Sequence, residues 1–537
     1  MNLEDDYTIA QELASLALAM SAEKDQQKLL ERIVESCMSL VNADGGTLYT
    51  VSDEAEGSLV FKVLRNRSLG LNDKPSRIPQ VPLYDGQGQE SKLVSVQTYL
   101  TREVIRVDDA YTCTLFDFSG TKAFDTAFGY RSQSFLSVPL ADHEGDIIGI
   151  LQLINAQDEN GNIVPFNETI SALICAVASL AATVLTKQKL IEGQKELLEA
   201  FIKLIGRAID HKSPVTGKHC ENVPEIAMVL AEAVNDTQAG KFKDLYWDEE
   251  DMYELRVAAW LHDCGKITSP EAIIEKGRKL STLFDRIEIV ATRFREYKQH
   301  LQIELLKRKL SGDLTDEQIA NAEAQLNDTF EQLDNDLEFL RVTNLGGEHM
   351  SSKDQDRVTA LGEIRWYDIN GDEQTLLTEE EMYHLNIKKG TLTDEERQIM
   401  RDHIKVTIEM LESLPYPKPL SQVTEIACNH HECLDGTGYP RGLTANDLST
   451  RARIMCIADI FEALTAADRP YKPGMLLSQT MNIMGRMVVE GKLDADLFAL
   501  FIDSGAYLKY AKSHMAERQI DTIDKDMLPG YRPYLTN

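Results

Sequence analysis

Apolar positions change from a helical to a strand-like pattern within the first third of the chain. Over residues 7–40 they recur at helical spacing. Four short apolar runs follow, at 46–51, 59–63, 134–140 and 147–154. Spacings of three and four residues predict helices, whereas short runs between turn residues predict strands. The last two runs are joined by Ala-Asp-His-Glu-Gly-Asp, which is typical of a hairpin turn. We therefore predict an α+β domain over residues 8–185, with an antiparallel sheet and flanking helices.

The pattern then becomes helical. Residues 170–185 are apolar and rich in Ala and Ser, but the run is too short to span a bilayer and predicts a buried helix. Residues 185–209 predict a continuous helix in which Leu190, Leu197 and Leu204 repeat every seven positions. Two interpretations stay open, a parallel coiled-coil dimer and a helix packed on its own domain. The position between two domains favours a dimer that transmits a rotation or a register change.

A charged region follows further along the chain. Residues 283–340 contain two helical stretches separated by Ser-Gly-Asp, which predicts an antiparallel helical hairpin. Thr315 and Gln318 have the spacing of a capping box at the start of the second helix. Residues 342–375 are predicted to be loop, with one strand-like piece at 364–369.

Charge and cysteine content narrow the function. Among 537 residues, 87 acidic side chains outnumber 56 basic ones, and the net charge is −31. Such a field repels polyanions, so we expect no binding to bulk nucleic acid or to a membrane surface. A small phosphorylated ligand remains compatible with it. The eight Cys form no CxxC pair and the N-terminus lacks a basic, apolar signal region, so we expect reduced thiols and a cytoplasmic location.

Several His and Asp residues stand in contexts that suggest a metal site. They are His219, His262, Asp263, His403, His430, His431 and Asp459. Asp459 lies in an apolar helix, where a buried carboxylate without a partner costs several kcal/mol and therefore needs a cation or a strong hydrogen bond. Imidazoles suit transition metals, and carboxylates can bridge two of them. If 262–266 is helical, Lys266 projects over the same face as His262 and Asp263. Because a bridged metal pair activates water and stabilises charge on a phosphoryl group, the set predicts metal-assisted phosphodiester hydrolysis.

Residues 8–185 resemble a GAF sensor domain. The resemblance is carried by SFLSVPL followed by DIIGILQLINA, and by FDTAFGYRSQ after VDDAY, as in GAF domains attached to cyclic-nucleotide phosphodiesterases. It implies the α+β fold and leaves open whether the domain binds a small ligand or only dimerises. Phe124, Asp125 and Arg131 are pocket candidates, with core and loop packing as the alternative. Cys113 lacks a neighbouring His, so no attached bilin is expected.

The C-terminal part is similar to the HD-GYP phosphodiesterases, bacterial hydrolases of cyclic dinucleotides. HDCGK and HHECLDGTGYP carry the resemblance, supported by TGKH, LTDEERQIMRDH and ADIFEALTAADRPYKP. It implies an all-α domain over residues 210–520, joined to the first by a signalling helix at 186–209. In the family, one sequence element, K-G-x-L-T-x-E-E, follows soon after the lysine motif. Here EKGRKLSTL at 275–283 begins this element, and KGTLTDEE completes it about a hundred residues later. We therefore interpret residues 283–385 as an insertion. Thr393 with Glu396 would cap the helix that bears His403.

The same resemblance implies roles for single residues. Two divalent metal ions, iron or manganese, would be held by His219, His262 and Asp459 on one side and His403, His430 and His431 on the other. Asp263 would bridge them, and Lys266 matches the catalytic lysine. Substrate contacts would come from Gly436, Gly438, Tyr439, Arg469 and Lys472. A third metal is not expected, because Val215 stands where some members carry a carboxylate and Asp210 is too distant in sequence.

The resemblance implies a homodimeric phosphodiesterase regulated by its GAF domain. Cyclic di-GMP is the expected substrate and 3′,3′-cGAMP the main alternative. Two further alternatives are a catalytically silent cyclic-dinucleotide sensor and a phosphohydrolase acting on other nucleotides. Because every expected metal ligand and the lysine are present in the sequence, the active enzyme is favoured over the silent sensor.

Overall fold

The computed structural model divides the chain into two compact units, residues 1–197 and 198–537. The structure describes residues 14–534, apart from 21, 24, 53–56, 72–78, 85–87, 213–217, 313, 348, 369 and 468–473.

The first unit is an antiparallel sheet with helices. Its helices are α1 (Gln26–Leu40), α2 (Val94–Thr101), α3 (Ser119–Phe128) and the start of α4 (Glu168–Lys212). Its strands are β1 (Ala43–Val51), β2 (Ser58–Asn66), β3 (Val81–Pro82), β4 (Ile105–Val107), β5 (Phe135–Ala141), β6 (Ile147–Gln157) and β7 (Ile163–Val164). The sheet order is β3-β2-β1-β6-β5-β4, and β7 pairs with β6. All pairs are antiparallel, which confirms the predicted α+β fold.

One face of this sheet packs against α1 and the first half of α4. The buried residues of that layer include Leu48, Leu136, Leu151, Ile33, Ile174 and Val177. Helix α4 joins the predicted run at 170–185 and the predicted helix at 185–209 into one element, because no Gly or Pro separates them. By length and composition, α4 is long and apolar enough to cross a membrane. The buried positions of its first half account for that apolar composition.

The second unit is almost entirely helical. Beyond the end of α4, its helices before the insertion are α5 (His219–Asp236), α6 (Glu249–Leu261) and α7 (Glu271–Ile274). After the insertion come α12 (Asp394–Glu412), α13 (Val423–Cys428), α14 (Thr450–Thr465), α15 (Leu477–Val489), α16 (Ala495–Asp503) and α17 (Ala506–His514). Their apolar faces form one core that includes Val223, Ala258, Ile426, Ile457 and Phe501. The predicted all-α architecture is confirmed.

The region 280–385, which contains the predicted insertion, has a hydrophobic core of its own. It contains α8 (Ile287–Leu310), α9 (Asp316–Asn344), α10 (Ser352–Gly362), β8 (Arg365–Tyr367), β9 (Glu373–Thr375) and α11 (Glu379–Leu385). The predicted hairpin corresponds to α8 and α9, and the capping box of Thr315 and Gln318 is present. The loop predicted at 342–375 is wrong where α10 and β9 form, whereas the strand-like piece predicted at 364–369 is confirmed as β8. The spacing of apolar residues does not predict α10, because this helix buries few apolar side chains, chiefly Val358 and Leu361.

The base of the inserted region is tied to α12. The buried Lys276 ammonium lies 2.7 and 2.8 Å from the carboxylate oxygens of Glu396 and 3.3 Å from His384 Nδ1. Glu396 also completes the predicted capping box with Thr393 at the start of α12. The helix that carries His403 is therefore held at its first turn by Lys276, which precedes residues 283–385.

Candidate metal centre

The His-Asp pair lies where α6 ends. His262 is the residue that caps α6, and the chain continues through Lys266 as the 3₁₀ turn Cys264–Thr268 rather than as an α-helix. The turn packs closely on α12, since a Cβ added to Gly265 would lie 2.0 Å from the carbonyl oxygen of His403. The Gly265 N–H also donates to Thr407 Oγ1 at 3.0 Å. The Lys266 ammonium nevertheless reaches Asp263 Oδ2 at 2.5 Å, as expected for groups on one face.

The remaining predicted ligands come from four other places in the second unit. His219 is the first residue of α5, His403 lies on α12, His430 and His431 follow α13, and Asp459 lies on α14. All of them are buried except His431, whose side chain is 24% exposed. The structure thus brings the seven predicted ligands together.

Two of these histidines meet at one oxygen of Asp263, and Asp459 lies beside them. His219 Nε2 lies 3.1 Å from Asp263 Oδ2, and His262 Nε2 lies 3.2 Å from the same oxygen. Asp459 Oδ1 is 3.3 Å from His219 Nε2 and 3.9 Å from His262 Nε2. Donor atoms of His219, His262 and Asp263 all lie within 4.8 Å of one another, a spacing that suits a metal ion.

A second group faces the other oxygen. His403 Nε2 lies 3.3 Å from Asp263 Oδ1, and His430 Nε2 lies 3.9 Å from it. Donor atoms of His403, His430 and His431 also lie within 4.8 Å of one another. Each oxygen of Asp263 therefore faces its own histidine group, which is the geometry that a bridging carboxylate requires.

The buried donor atoms of the second group fit a metal ion. Asp263 Oδ1, His403 Nε2 and His430 Nε2 have no hydrogen-bond partner among the described residues. The Nδ1 atoms of His403 and His430 contact the carbonyl oxygens of Met400 and Ala427. A carbonyl can only accept, so these Nδ1 atoms carry the proton and the Nε2 lone pairs point into the centre. Buried lone pairs without a donor are costly, and a bound cation would remove that cost.

The pKa shifts follow from burial and charge. Burial by itself raises the pKa of Asp263, but Lys266 and the neighbouring imidazoles outweigh burial and hold that pKa well below its ordinary value. Burial lowers the pKa of His430 well below its usual range and lowers the pKa of His431 to about 4. Both imidazoles are therefore neutral near pH 7, as metal ligands must be.

The pKa of His219 is shifted in the opposite direction from the pKa values of His430 and His431. Burial by itself lowers its pKa, but Glu462 and the carboxylates of Asp263 and Asp459 raise that pKa well above the usual value. Glu462 Oε2 lies 2.5 Å from His219 Nδ1, and its other oxygen accepts from Asn222 Nδ2 at 3.2 Å. Glu462 thus orients His219, a role that sequence reasoning missed. The signal was present, because Glu462 lies three residues after Asp459 on the same helix face.

Tyr439 and Arg401 lie beside His431, whose side chain is more exposed than those of the other predicted ligands. We call this part of the centre its open side. The Tyr439 ring lies 4.8 Å from the His431 ring, and the Arg401 guanidinium lies 5.2 Å from the Tyr439 ring centroid. The side chain of Lys266 is 18% exposed. Arg401 was not predicted, because nothing in the sequence separates it from the other charged residues of α12.

The Gly-Tyr-Pro loop is shaped by the motif that precedes it. The buried Glu432 carboxylate accepts from the backbone N–H groups of Arg441 and Leu443 at 2.7 and 2.9 Å. A Cβ added to Gly438 would lie 2.4 Å from Glu432 Cα, so a glycine is required there by the chain's own backbone. Gly436 adopts a positive φ of 78°. The close approach that Gly438 allows in the structure is to the chain's own Glu432, and a contact of these glycines with the substrate stays a prediction.

Three residues named from the sequence lie outside the described residues: Arg469, Lys472 and Val215. Asp210 is buried, and its Oδ2 accepts from the backbone N–H of Cys220 at 3.2 Å. Burial raises the pKa of Asp210 to about 6.

The pocket candidates of the first unit form a local network. Asp125 is buried and accepts from Tyr111 Oη at 2.8 Å, from the Ser132 N–H at 2.8 Å and from Ser132 Oγ at 2.7 Å. The Arg131 guanidinium stacks on the Tyr111 ring at 4.5 Å. Phe124 contacts Phe128, with ring centroids 4.5 Å apart. These contacts agree with the packing alternative for the three residues.

Comparison with family models assigns both units. A model described as GAF domain matches residues 25–185. Two models described as HD domain match residues 216–350 and 379–497, which together contain all seven predicted ligands. The chain combines a GAF domain with an HD domain. The resemblance predicted for each unit is thereby confirmed.

Similarity to curated proteins is confined to a short segment. One relative is the 3′3′-cGAMP-specific phosphodiesterase 1 of Vibrio cholerae, which is 50% identical over 82 residues, 15% of this chain and 19% of the relative. Another is a cyclic di-GMP phosphodiesterase of Pseudomonas aeruginosa, 36% identical over 80 residues, 15% of this chain and 19% of the relative. The matched segment therefore spans about a fifth of the length of these relatives.

A solved GAF domain/HD domain protein from Geobacter sulfurreducens is 17% identical, with a TM-score of 0.24, and the match covers 32% of this chain and 98% of that chain.

Proposed function

We propose that the HD domain hydrolyses a 3′,5′-cyclic dinucleotide. One observation carries this proposal: six imidazole and carboxylate side chains surround Asp263, with each of its oxygens facing a different histidine group. Such a site suits a phosphodiester better than an ester or amide, because two metal ions bridged by Asp263 would stabilise the negative charge on the phosphoryl oxygens. The relatives that share the segment are phosphodiesterases of this substrate class.

We assign two divalent metal ions to this centre. His219, His262 and Asp459 would hold one, His403, His430 and His431 the other, and Asp263 would bridge them. Mixed imidazole and carboxylate ligation suits iron or manganese. When bound, such a pair lowers the pKa of water and stabilises charge on the phosphoryl oxygens.

Lys266 acts beside the metals. Although burial lowers its pKa, Asp263 and Asp459 raise that pKa above the ordinary value, so the side chain carries a positive charge near pH 7. Its ammonium lies 2.5 Å from Asp263 Oδ2, next to the place where the scissile phosphate would bind. We therefore assign Lys266 to stabilising the charge that develops on the phosphate.

The open side provides the substrate contacts. The Tyr439 ring offers a stacking face to a nucleobase, and Arg401 offers a cation to the second phosphate of the dinucleotide. Gly436 and Gly438 shape the loop that presents Tyr439. Arg469 and Lys472 remain proposed phosphate contacts on the basis of the sequence motif.

Two substrates are candidates. Cyclic di-GMP is the substrate expected from the sequence motif. A specific observation also favours 3′,3′-cGAMP, because the segment shared with the Vibrio cholerae cGAMP-specific enzyme is 50% identical. The segment shared with the Pseudomonas aeruginosa enzyme is 36% identical.

We further propose the domain organisation predicted above. Residues 8–185 form the sensor domain, 186–209 a signalling helix and 210–520 the phosphodiesterase domain, interrupted at 283–385 by an insertion. The separate hydrophobic core of the inserted region supports this division. The sensor would bind a small ligand, and the protein would act in the cytoplasm, in agreement with its eight free cysteines.

Helix α4 supports a homodimer. Leu190, Leu197, Phe201 and Leu204 are each more than half exposed, at positions that form one stripe with seven-residue spacing. A second copy of the same stripe would bury it. Leu197→Glu should convert the dimer to a monomer, as measured by light scattering. Lys195→Glu, a substitution in the same helix but outside the stripe, should leave the dimer intact.

The central test is hydrolysis of both dinucleotides by iron- and manganese-loaded protein. The His262→Ala variant should lose metal and activity, whereas Lys266→Ala should keep metal and lose most turnover, about 100-fold or more. Lys405→Ala, an exposed lysine on α12, is the matched control and should behave as the parent protein. Parental rates in both site variants would refute the assignment. Tight binding of a dinucleotide without hydrolysis by the parent would establish the silent sensor instead.

A further inference from the structure

The last turn of α4 contacts the segment that carries the proposed catalytic lysine. Lys212, the final residue of α4, donates from its ammonium to the carbonyl oxygens of Lys266 at 3.3 Å and of Ser269 at 2.7 Å, and it also contacts the carbonyl oxygen of Ile267. One side chain thus collects three carbonyls at the end of the 3₁₀ turn Cys264–Thr268. A cation at that end is favourable, because the last carbonyls of a helical turn lack internal partners.

The turn is held from two opposite elements. On one side, Gly265 is locked against α12 through Thr407 and the carbonyl oxygen of His403. On the other side, the hydrogen bonds that leave the end of the turn for another element run to Lys212. Lys266 lies between these two anchors, so the position of its ammonium at Asp263 depends on both.

The same turn of α4 also reaches the other side of the centre. Asp210, two residues before Lys212, accepts from the backbone N–H of Cys220 at the start of α5. His219, the first residue of α5, is one of the proposed metal ligands. The end of α4 is therefore hydrogen-bonded to two separate elements that carry the site.

We propose that Lys212 is a positioning residue that holds the turn 264–269 and thereby keeps Lys266 at Asp263. The proposal rests on the hydrolytic function assigned to the HD domain. It makes turnover depend on where α4 ends. Because Lys212 is the last residue of α4, the contact connects the end of this helix directly to the turn that carries the lysine.

The test compares Lys212→Met with Lys212→Arg, which retains the charge. Lys212→Met should lower kcat about 10- to 100-fold, the cost of a small misplacement, at unchanged KM and metal content. Lys212→Arg should recover most of that loss. Lys203→Met, on the same helix and paired with Glu199 at 3.5 Å, is the control and should not change kcat.

A double-mutant cycle separates positioning from general damage. If Lys212 acts through Lys266, Lys212→Met should cause no further loss in a Lys266→Met background. Additive losses, or a loss of metal in Lys212→Met alone, would overturn the proposal.

Hydrogen exchange gives a readout that needs no substrate. In Lys212→Met, the amides of Lys266 and Ser269, which are bonded within the turn, should exchange faster than in the parent protein. Unchanged exchange overturns the proposal whether or not the protein hydrolyses a cyclic dinucleotide. Faster exchange in a protein without that activity would retain the Lys212 contact and refute the proposed function.

Discussion

Asp125 in the GAF unit and Asp263 in the HD unit are both almost completely buried, but they are stabilised in different ways. Three hydrogen bonds from Tyr111 and Ser132 satisfy the carboxylate of Asp125. Asp263 has Lys266 and imidazoles on one oxygen, whereas its other oxygen has no hydrogen-bond donor among the described residues.

The difference distinguishes a structural carboxylate from a ligand. The donors to Asp125 are neutral O–H and N–H groups that satisfy its carboxylate, so Asp125 needs no cation. Around Asp263 Oδ1, the nearest groups are the Nε2 atoms of His403 and His430, which are acceptors because their Nδ1 protons are donated to carbonyls. Acceptors that face one another inside a protein are costly, and a shared cation would remove that cost.

The largest effect is expected from removing the charge that joins the two histidine groups. Asp263→Asn should lose both metals and fall to background hydrolysis, because an amide cannot bridge two cations as a carboxylate does. Metal analysis and a turnover assay check this result. Asp402→Asn, an exposed carboxylate next to His403, should retain both properties. Stoichiometric metal in Asp263→Asn would show that Asp263 is no ligand.

A smaller effect is expected at Glu462, which orients one ligand. Glu462→Gln should weaken metal binding about 10- to 100-fold, as is typical when a carboxylate behind a histidine ligand is removed. A titration with manganese measures the loss, and excess metal should restore turnover. The exposed residue Glu409 on α12 provides the control, with Glu409→Gln expected at parental affinity. A turnover defect that metal does not restore would contradict the orienting role.

The next effect concerns substrate rather than metal. Arg401→Ala should raise KM for a cyclic dinucleotide about tenfold, the effect of losing one charge-assisted hydrogen bond, with metal content unchanged. A substrate with a single phosphate, bis-p-nitrophenyl phosphate, should show little change. Equal losses with both substrates would place Arg401 in the chemical step instead of the second phosphate contact.

The smallest effect on hydrolysis is expected from the structural carboxylate. Asp125→Ala should leave the metal content and basal turnover unchanged, while it lowers the stability of the GAF unit by about 1–3 kcal/mol because Tyr111 and Ser132 lose their acceptor. Thermal unfolding followed together with the hydrolysis assay checks both expectations. A GAF unit of parental stability in this variant would mean that the Asp125 network contributes nothing measurable.

Strong local patterns predicted most of the fold. The strands β5 and β6 with their hairpin, the insertion helices and the caps at Thr315 and Thr393 follow from residues close together in the chain. Helix α10 did not, because a polar helix on the surface of a small core lacks apolar periodicity. The backbone conformation at Lys266 was left open by the sequence, because tight packing of Gly265 on α12 shapes the turn.

The sequence by itself determined which residue types are available for the metal centre, since the His, Asp and Lys motifs stand out without coordinates. Only the tertiary structure decided how they are shared: which oxygen of Asp263 faces which histidines, that Glu462 orients His219, and that Lys212 contacts the Lys266 turn. The physical reason is distance along the chain. Short-range periodicity and capping are local properties, whereas these contacts join residues dozens to hundreds of positions apart and exist only because the helices pack in one particular way.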